Sequence, residues 1–258
     1  MNFDNSTNMF LQDKGGIGKT LTASIFMQYL REKGVTISGV DIDQQSPKLS
    51  TIKELNVPLV PLLSYGEIKQ SSFDPLFRAV VQSKTATAID AGSGAFLPLL
   101  KYMSDMGCYD LLQEAKKQLY YHIVVISGPE KQKTAEGAKT LLEKVRGTAT
   151  KVIIWQNEKE GIHLFDGKAI EETDWYKAHS DRIVGVVKII DNNNSAYKES
   201  LLAMMEEGLT YRQIMAGESA TFDFMAQNRI RRIFTSVYAE LDAVFKTVPA
   251  TAKERKAG

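Results

Sequence analysis

Seven consecutive residues, Lys14-Gly15-Gly16-Ile17-Gly18-Lys19-Thr20, have the types and spacing needed to hold a triphosphate. Glycines let backbone N–H groups converge on phosphate oxygens, a lysine adds a point charge, and a threonine hydroxyl can reach a magnesium ion. Lys19 is expected against the β- and γ-phosphates and Thr20 on the metal, with Gly15, Gly16, Ile17, Gly18 and Leu21 completing the binding run. The spacing is not the ordinary one. Asp13 stands five residues before Gly18, where a glycine would be usual, and Lys14 opens the loop instead. Lys19 and the metal already offset charge inside the loop. Lys14 is therefore free to point outward, toward a nucleotide held by a facing subunit, and to stabilise the charge that develops in phosphoryl transfer. Its alternative is a solvated lysine.

Such a loop must be positioned by a strand before it and a helix after it. Met9-Phe10-Leu11 supplies a short apolar run, and Leu21 to Arg31 places Leu21, Ile25, Phe26, Tyr29 and Leu30 at helical spacing, closed by Gly34. Further strands are expected at Val35–Val40, Thr85–Ile89, Ile123–Ile126, Val152–Trp155 and Ile183–Val187. Helices are expected over 132–146 and 196–207. A long C-terminal helix presents Ile230, Ile233, Phe234, Val237, Tyr238, Leu241, Val244 and Phe245 on one face. Residues 44–84, broken by prolines, read as short helices and loops. The alternation predicts an α/β chain: three layers, α/β/α, around a mostly parallel twisted sheet. We expect a single domain over 1–248 and a flexible basic tail over 249–258.

In open parallel sheets, ligands bind beyond the carboxyl ends of the strands. Several polar residues fall there. Asp90 ends a strand and can hold a metal-bound water, or else cap a turn. Asp43, in Asp41-Ile42-Asp43, can orient or activate an attacking water, or else cap a helix N-terminus. Asn157 can read an adenine edge with its amide, or be an ordinary loop asparagine.

Composition narrows the classes. The 258 residues carry a formal net charge of +1, 43% hydrophobic and 24% charged residues, which suits a globular chain with one sizeable core. A single cysteine, Cys108, excludes an internal disulfide and a cysteine metal cage. His122, His163 and His179 are scattered and are expected at the surface or in loops. The polar N-terminus lacks a signal-peptide pattern, and no run approaches the ~18 apolar residues that span a bilayer. A cytoplasmic location is expected.

On these residues, the Lys-Gly-Gly-Ile-Gly-Lys-Thr loop, Asp41-Ile42-Asp43 and Asp90, the chain resembles the ParA/MinD family of deviant Walker A P-loop ATPases. The resemblance extends over about residues 7–160 by order of motifs and beyond that by general architecture. It implies a P-loop NTPase fold, ATP and Mg2+ as cofactors, and a nucleotide-dependent sandwich homodimer. It also implies that Lys14 crosses the interface, that Asp43 serves hydrolysis, and that Asp90 is the Walker B acid. Hydrolysis in such proteins is slow and stimulated by a partner, here expected to be a plasmid-encoded adaptor or stimulating protein. The chain looks closer to the plasmid-encoded StbB/TraL-like branch, associated with stability and conjugative transfer, than to chromosomal partition proteins, and a role in plasmid partition, stability or conjugative transfer is expected. It departs from the family pattern in two places: Gln44-Gln45 stands where Pro-Gln or Pro-Asn is usual, and Ala91-Gly92 where Thr-Pro or Ser-Pro is usual. Both lie where the γ-phosphate is sensed, so hydrolysis rate is less secure than binding.

Relatives that anchor to membranes do so through an amphipathic C-terminal helix. Here Thr247–Gly258 has Val248 as its only sizeable aliphatic residue, which argues against a membrane anchor by that route. From Arg229 onward, seven basic residues face three acidic ones, with Arg229, Arg231 and Arg232 clustered. That pattern suits nonspecific DNA and nucleoid association, or a solvated helix face. Two other functional classes remain: a small-molecule ligase or kinase like dethiobiotin synthetase, and a nucleotide-binding scaffold with little hydrolysis.

Overall fold

The computed structural model describes residues 3–64, 67–158, 161, 164–165, 167–189 and 195–246. His163 and the tail expected over 249–258, with its basic residues, lie outside them.

Six strands form one parallel sheet: β1 (Ser6–Leu11), β2 (Ile37–Asp41), β5 (Ala86–Asp90), β6 (Gln118–Ile126), β7 (Lys151–Asn157) and β8 (Ile183–Ile189). Their order across the sheet is β2-β5-β1-β6-β7-β8. A small antiparallel pair, β3 (Leu63–Ser64) and β4 (Glu67–Ile68), stands apart. The central strands are buried on both faces, as parallel sheets are, and alternate side chains serve two separate cores. Phe10, Val124 and Trp155 join α1 (Lys19–Glu32) and α9 (Phe224–Lys246) on one face. Met9, Leu11, Ile123 and Ile154 join α2 (Asp74–Gln82), α3 (Phe96–Asp105), α4 (Cys108–Glu114) and α5 (Lys131–Lys144) on the other. The α/β/α layering expected from the alternation is therefore the observed one. Helices α7 (Ser195–Glu206) and α8 (Tyr211–Met215) pack against α9, and the short α6 (Asp174–Ala178) falls between β7 and β8 in the chain.

Several elements run further than apolar patterning suggests. Strand β1 begins at Ser6, where Asn8 and Ser6 are satisfied internally: Asn8 Nδ2 donates to Ser6 Oγ at 2.9 Å and to the Thr87 carbonyl at 3.3 Å. Strand β6 begins at Gln118, through residues whose polarity disguises their burial. His122 and His179, expected at the surface or in loops, are both buried, His122 within β6 and His179 in the turn that follows α6. Trp155 Nε1 donates to His122 Nδ1 at 3.0 Å, and His122 Nε2 faces Asn8 Oδ1 at 3.2 Å, while the ring stacks on Phe10. Burial then holds the imidazole pKa well below its ordinary value. His179 is held by the Trp175 carbonyl at 2.8 Å and Glu143 Oε1 at 2.9 Å.

Helix α3 tolerates Pro98 because the proline falls in the first turn, where N–H groups have no partner within the helix. Helix α9 starts earlier than its apolar stripe, since Asp223 Oδ1 accepts from the Ala226 N–H at 2.8 Å. Within the described residues no helix is long and apolar enough to cross a membrane.

Candidate functional site

The site lies at the carboxyl ends of β1, β2, β5 and β7. Its foot is Gln12, the residue after β1. The Gln12 side chain donates to the carbonyls of Val124 and Thr134 at 2.9 and 3.0 Å and accepts from the Asp13 N–H at 3.0 Å. The loop then turns into α1 through Gly18, whose φ of 102° is open to glycine and strained for other residues. A Cβ there would also come within 2.8 Å of Asn157 Nδ2. That amide donates to the Ile17 carbonyl at 2.9 Å, so the end of β7 braces the loop from across the sheet. No acidic residue occupies the first turn of α1, which leaves its partially positive end to an incoming anion.

Lys19 is 7% exposed and donates to the Lys14 carbonyl at 2.9 Å. Burial lowers its pKa, while Asp90, Asp43 and Asp13 act in the opposite direction. Around this one cation the carboxylates have distinct tasks. Asp41 is fully buried and organises the following loop, accepting from the N–H groups of Asp43 and Ser50 at 3.0 Å each. Burial raises its pKa even so. Asp43 accepts from the N–H groups of Gln45 and Ser46 at 3.1 Å through one oxygen, Oδ1. Gly92 leaves room for it: a Cβ at that position would lie 2.7 Å from Asp43 Oδ1. The unusual Ala91-Gly92 pair thus lets Asp43 lie directly on the end of β5. Gln44, the other unusual residue, uses its side-chain oxygen to accept from the N–H groups of Leu62 and Leu63.

Asp90 is buried, and neither of its oxygens has a hydrogen-bond partner among the described residues. Desolvation pushes its pKa up to about 7. The Thr20 hydroxyl, close by without meeting hydrogen-bond geometry, favours the charged form. Asp41 opposes that, Lys19 supports it, and Asp43 opposes it again. An orphaned carboxylate beside a threonine hydroxyl suits Mg2+, which keeps most of its ligands as water and phosphate oxygens. No group of three or more His, Cys, Asp or Glu residues is arranged as a metal cage among the described residues. The chain itself would thus supply only a small share of such an ion's ligands.

The expected binding residues Gly15 to Leu21, Asp43 and Asn157 line one cleft of about 410 Å3. Asp90 lies beneath it. Residues that sequence reasoning missed complete the walls: Ser93, Lys48, Ile189, and Tyr197 and Leu201 of α7. Ser93 sits in a visible glycine-rich turn, whereas nothing in the sequence marks the α7 residues as lining a cleft. One arm of the cleft is therefore polar and cationic, the other apolar.

Lys14 does not join this cleft. Its ammonium pairs with Glu130 Oε1 at 2.8 Å, in the turn before α5, and that contact lowers the Glu130 pKa. Glu130 carried no signal in the sequence. The three arginines are also divided: Arg229 Nε donates to Ser200 Oγ at 2.9 Å and ties α9 to α7, whereas Arg231 and Arg232 are exposed.

Residues 9–220 match the family described as the CobQ/CobB/MinD/ParA nucleotide binding domain. The chain is 30% identical over 236 residues to a protein TraL of Escherichia coli, covering 92% of this chain and 97% of that one. A second Escherichia coli TraL is 26% identical over 235 residues, covering 91% and 96%. Among solved structures, the septum site-determining protein MinD complexed with Mg-ADP from Pyrococcus horikoshii OT3 superposes with a TM-score of 0.53 at 13% identity. That match covers 95% of this chain and 99% of the other. A ParA family ATPase from Chlorobium tepidum TLS gives 0.51 at 12% identity, covering 92% and 98%. These two likenesses concern the fold.

Proposed function

We propose, from the premise that this chain belongs to the CobQ/CobB/MinD/ParA nucleotide-binding family, that it is an ATP-driven dimeric switch serving plasmid maintenance or conjugative transfer. The observation that carries the reading is the cleft itself. An uncapped helix N-terminus and a buried lysine meet in it above an orphaned buried aspartate, beside an apolar arm. Backbone N–H groups of residues 15–20 would hold the phosphates, with Lys19 against the terminal ones. Thr20 and Asp90 would hold Mg2+, which when bound supplies positive charge to the phosphate oxygens. Asn157 and the apolar wall would receive the base.

Asp43, whose Oδ1 is fixed by two backbone N–H groups, would position the attacking water. Lys14 would leave Glu130 to complete the site of a facing subunit. Hydrolysis would be slow until a plasmid-encoded partner stimulates it. Residues 1–248 would act as one unit.

Solution mass tests this directly, measured with ADP, ATP and a nonhydrolysable analogue for the wild type and Lys14→Ala. ATP-dependent dimerisation that is lost in the variant supports the switch. A constant monomer with metabolite-dependent turnover would instead indicate a small-molecule enzyme, and dimerisation without hydrolysis a scaffold. On the same reading, exposed Arg231 and Arg232 contribute to nonspecific duplex binding in the ATP state. Replacing both with alanine should weaken retention of duplex in a gel-shift series, and unchanged retention removes DNA from the proposal.

A further inference from the structure

A second pocket opens at the opposite end of the sheet, where β6 and β7 begin. Its volume is about 250 Å3, and Tyr109, Gln113, Lys116, Lys117 and Thr150 are among its walls. No acidic residue lines it. Lys117 is nonetheless 5% exposed, an unusual degree of burial for a lysine without a carboxylate partner. Its ammonium donates to Asn5 Oδ1 at 2.7 Å. That acceptor is held in place by its own amide, whose Nδ2 donates to the carbonyls of Ala115 and Lys116 at 3.4 and 3.1 Å. An ammonium has three N–H donors, and Asn5 takes one.

Desolvation lowers the Lys117 pKa, and no neighbouring carboxylate offsets it. Lys117 lines the pocket, and Gln113 and Lys116, which share its walls, are exposed to solvent. Lys116 adds a second cation at the rim and holds a left-handed backbone, φ 54°, that is uncommon for a residue with a side chain.

We propose that Lys117, with Lys116 at the rim, forms an oxyanion site for a phosphate or a small carboxylate, separate from the nucleotide cleft. The buried cation lacks a counter-charge, the pocket has room for one, and spare donors are available to receive it. Nothing in this proposal rests on ATP binding.

The test weakens the cleft's own anion site with Lys19→Ala and follows thermal unfolding at constant ionic strength. Inorganic phosphate is titrated against chloride in one arm and acetate in the other. These arms distinguish the two oxyanion sources. The favoured anion should raise the midpoint by roughly 3–6 °C at ten times its Kd. Adding Lys117→Met should abolish the rise. Gln113→Glu, at an exposed wall position, places a carboxylate in the pocket and should abolish it too, while raising the midpoint in the absence of ligand. No rise with either anion overturns the site. So does a rise that survives Lys117→Met or, should that variant not fold, Gln113→Glu.

Discussion

An ammonium and a carboxylate 2.8 Å apart, with side chains 32% and 39% exposed, form a contact that solvent screens, so the Lys14–Glu130 pair can open at small cost. That weakness suits a lysine with two uses. Paired in its own chain, Lys14 cannot reach across to another; released, it can. Under the proposed switch, Glu130 therefore competes with the facing subunit for the same ammonium. Glu130→Gln should lower the ATP concentration at half-maximal dimerisation by roughly two- to fivefold, since it removes charge from one competitor only. Sedimentation across an ATP titration measures this, and an unchanged or higher midpoint would show that the pair is not a brake. Lys14→Ala removes both contacts and should instead abolish the dimer, which separates a failure of the brake from a failure of the switch.

Strands β1, β6 and β7 carry a polar line through an otherwise apolar face: Ser6, Asn8, His122 and Trp155, each bonded to the next. Because Trp155 donates to Nδ1, His122 must hold its proton on Nε2 and donate to Asn8, which fixes the tautomer. Trp155→Phe removes the indole N–H with part of the ring and leaves Nδ1 buried without a donor. It should cost ~2–5 kcal/mol in chemical unfolding, a buried acceptor having lost its partner and a void having opened beside it; a loss well below that would mean a water replaces the indole. This line also marks how far sequence reasoning reaches. Val124 or Ile154 announces a strand because its burial follows from its type, and the glycine loop announces itself because backbone access to phosphate requires those glycines. His122 and Asn8 are buried through partners distant in sequence, so patterning shortened their strands. Glu130 and the α7 wall of the cleft were illegible for the same reason: their roles come from what the fold lays beside them. Asp43 was legible as a strand-end carboxylate, yet its seat on Gly92 was not.

Across the whole molecule, two buried groups tie stability to pH with opposite signs. The folded state holds the Asp90 pKa near 7, against an ordinary value of 3.8. Between those values the folded chain keeps a proton that the unfolded chain has released, so this group's contribution falls as pH rises, by up to ~1.4 kcal/mol per unit. His122 behaves in the reverse way. Its folded pKa lies well below 6.5, so under acidification past 6.5 the unfolded chain gains a proton first and stability falls. From about pH 4 to 6.5 the two slopes oppose each other, and the nucleotide site is in part compensated by the core beneath it. Asp90→Asn removes one side of the balance. At pH 8 the variant should be more stable than the wild type by ~4 kcal/mol, the interval from 3.8 to about 7 at ~1.4 kcal/mol per pH unit, because a buried carboxylate without a partner has gone. That advantage should shrink steadily below pH 7 and vanish below about pH 3, where Asp90 is protonated in both states. Denaturant unfolding at pH 4.5, 6 and 8 reads the difference, and a gap that does not change with pH would mean that Asp90 is ionised in the folded protein throughout. The same substitution should weaken the dependence of nucleotide affinity on Mg2+, linking the strain stored at the end of β5 to the ion it is proposed to receive.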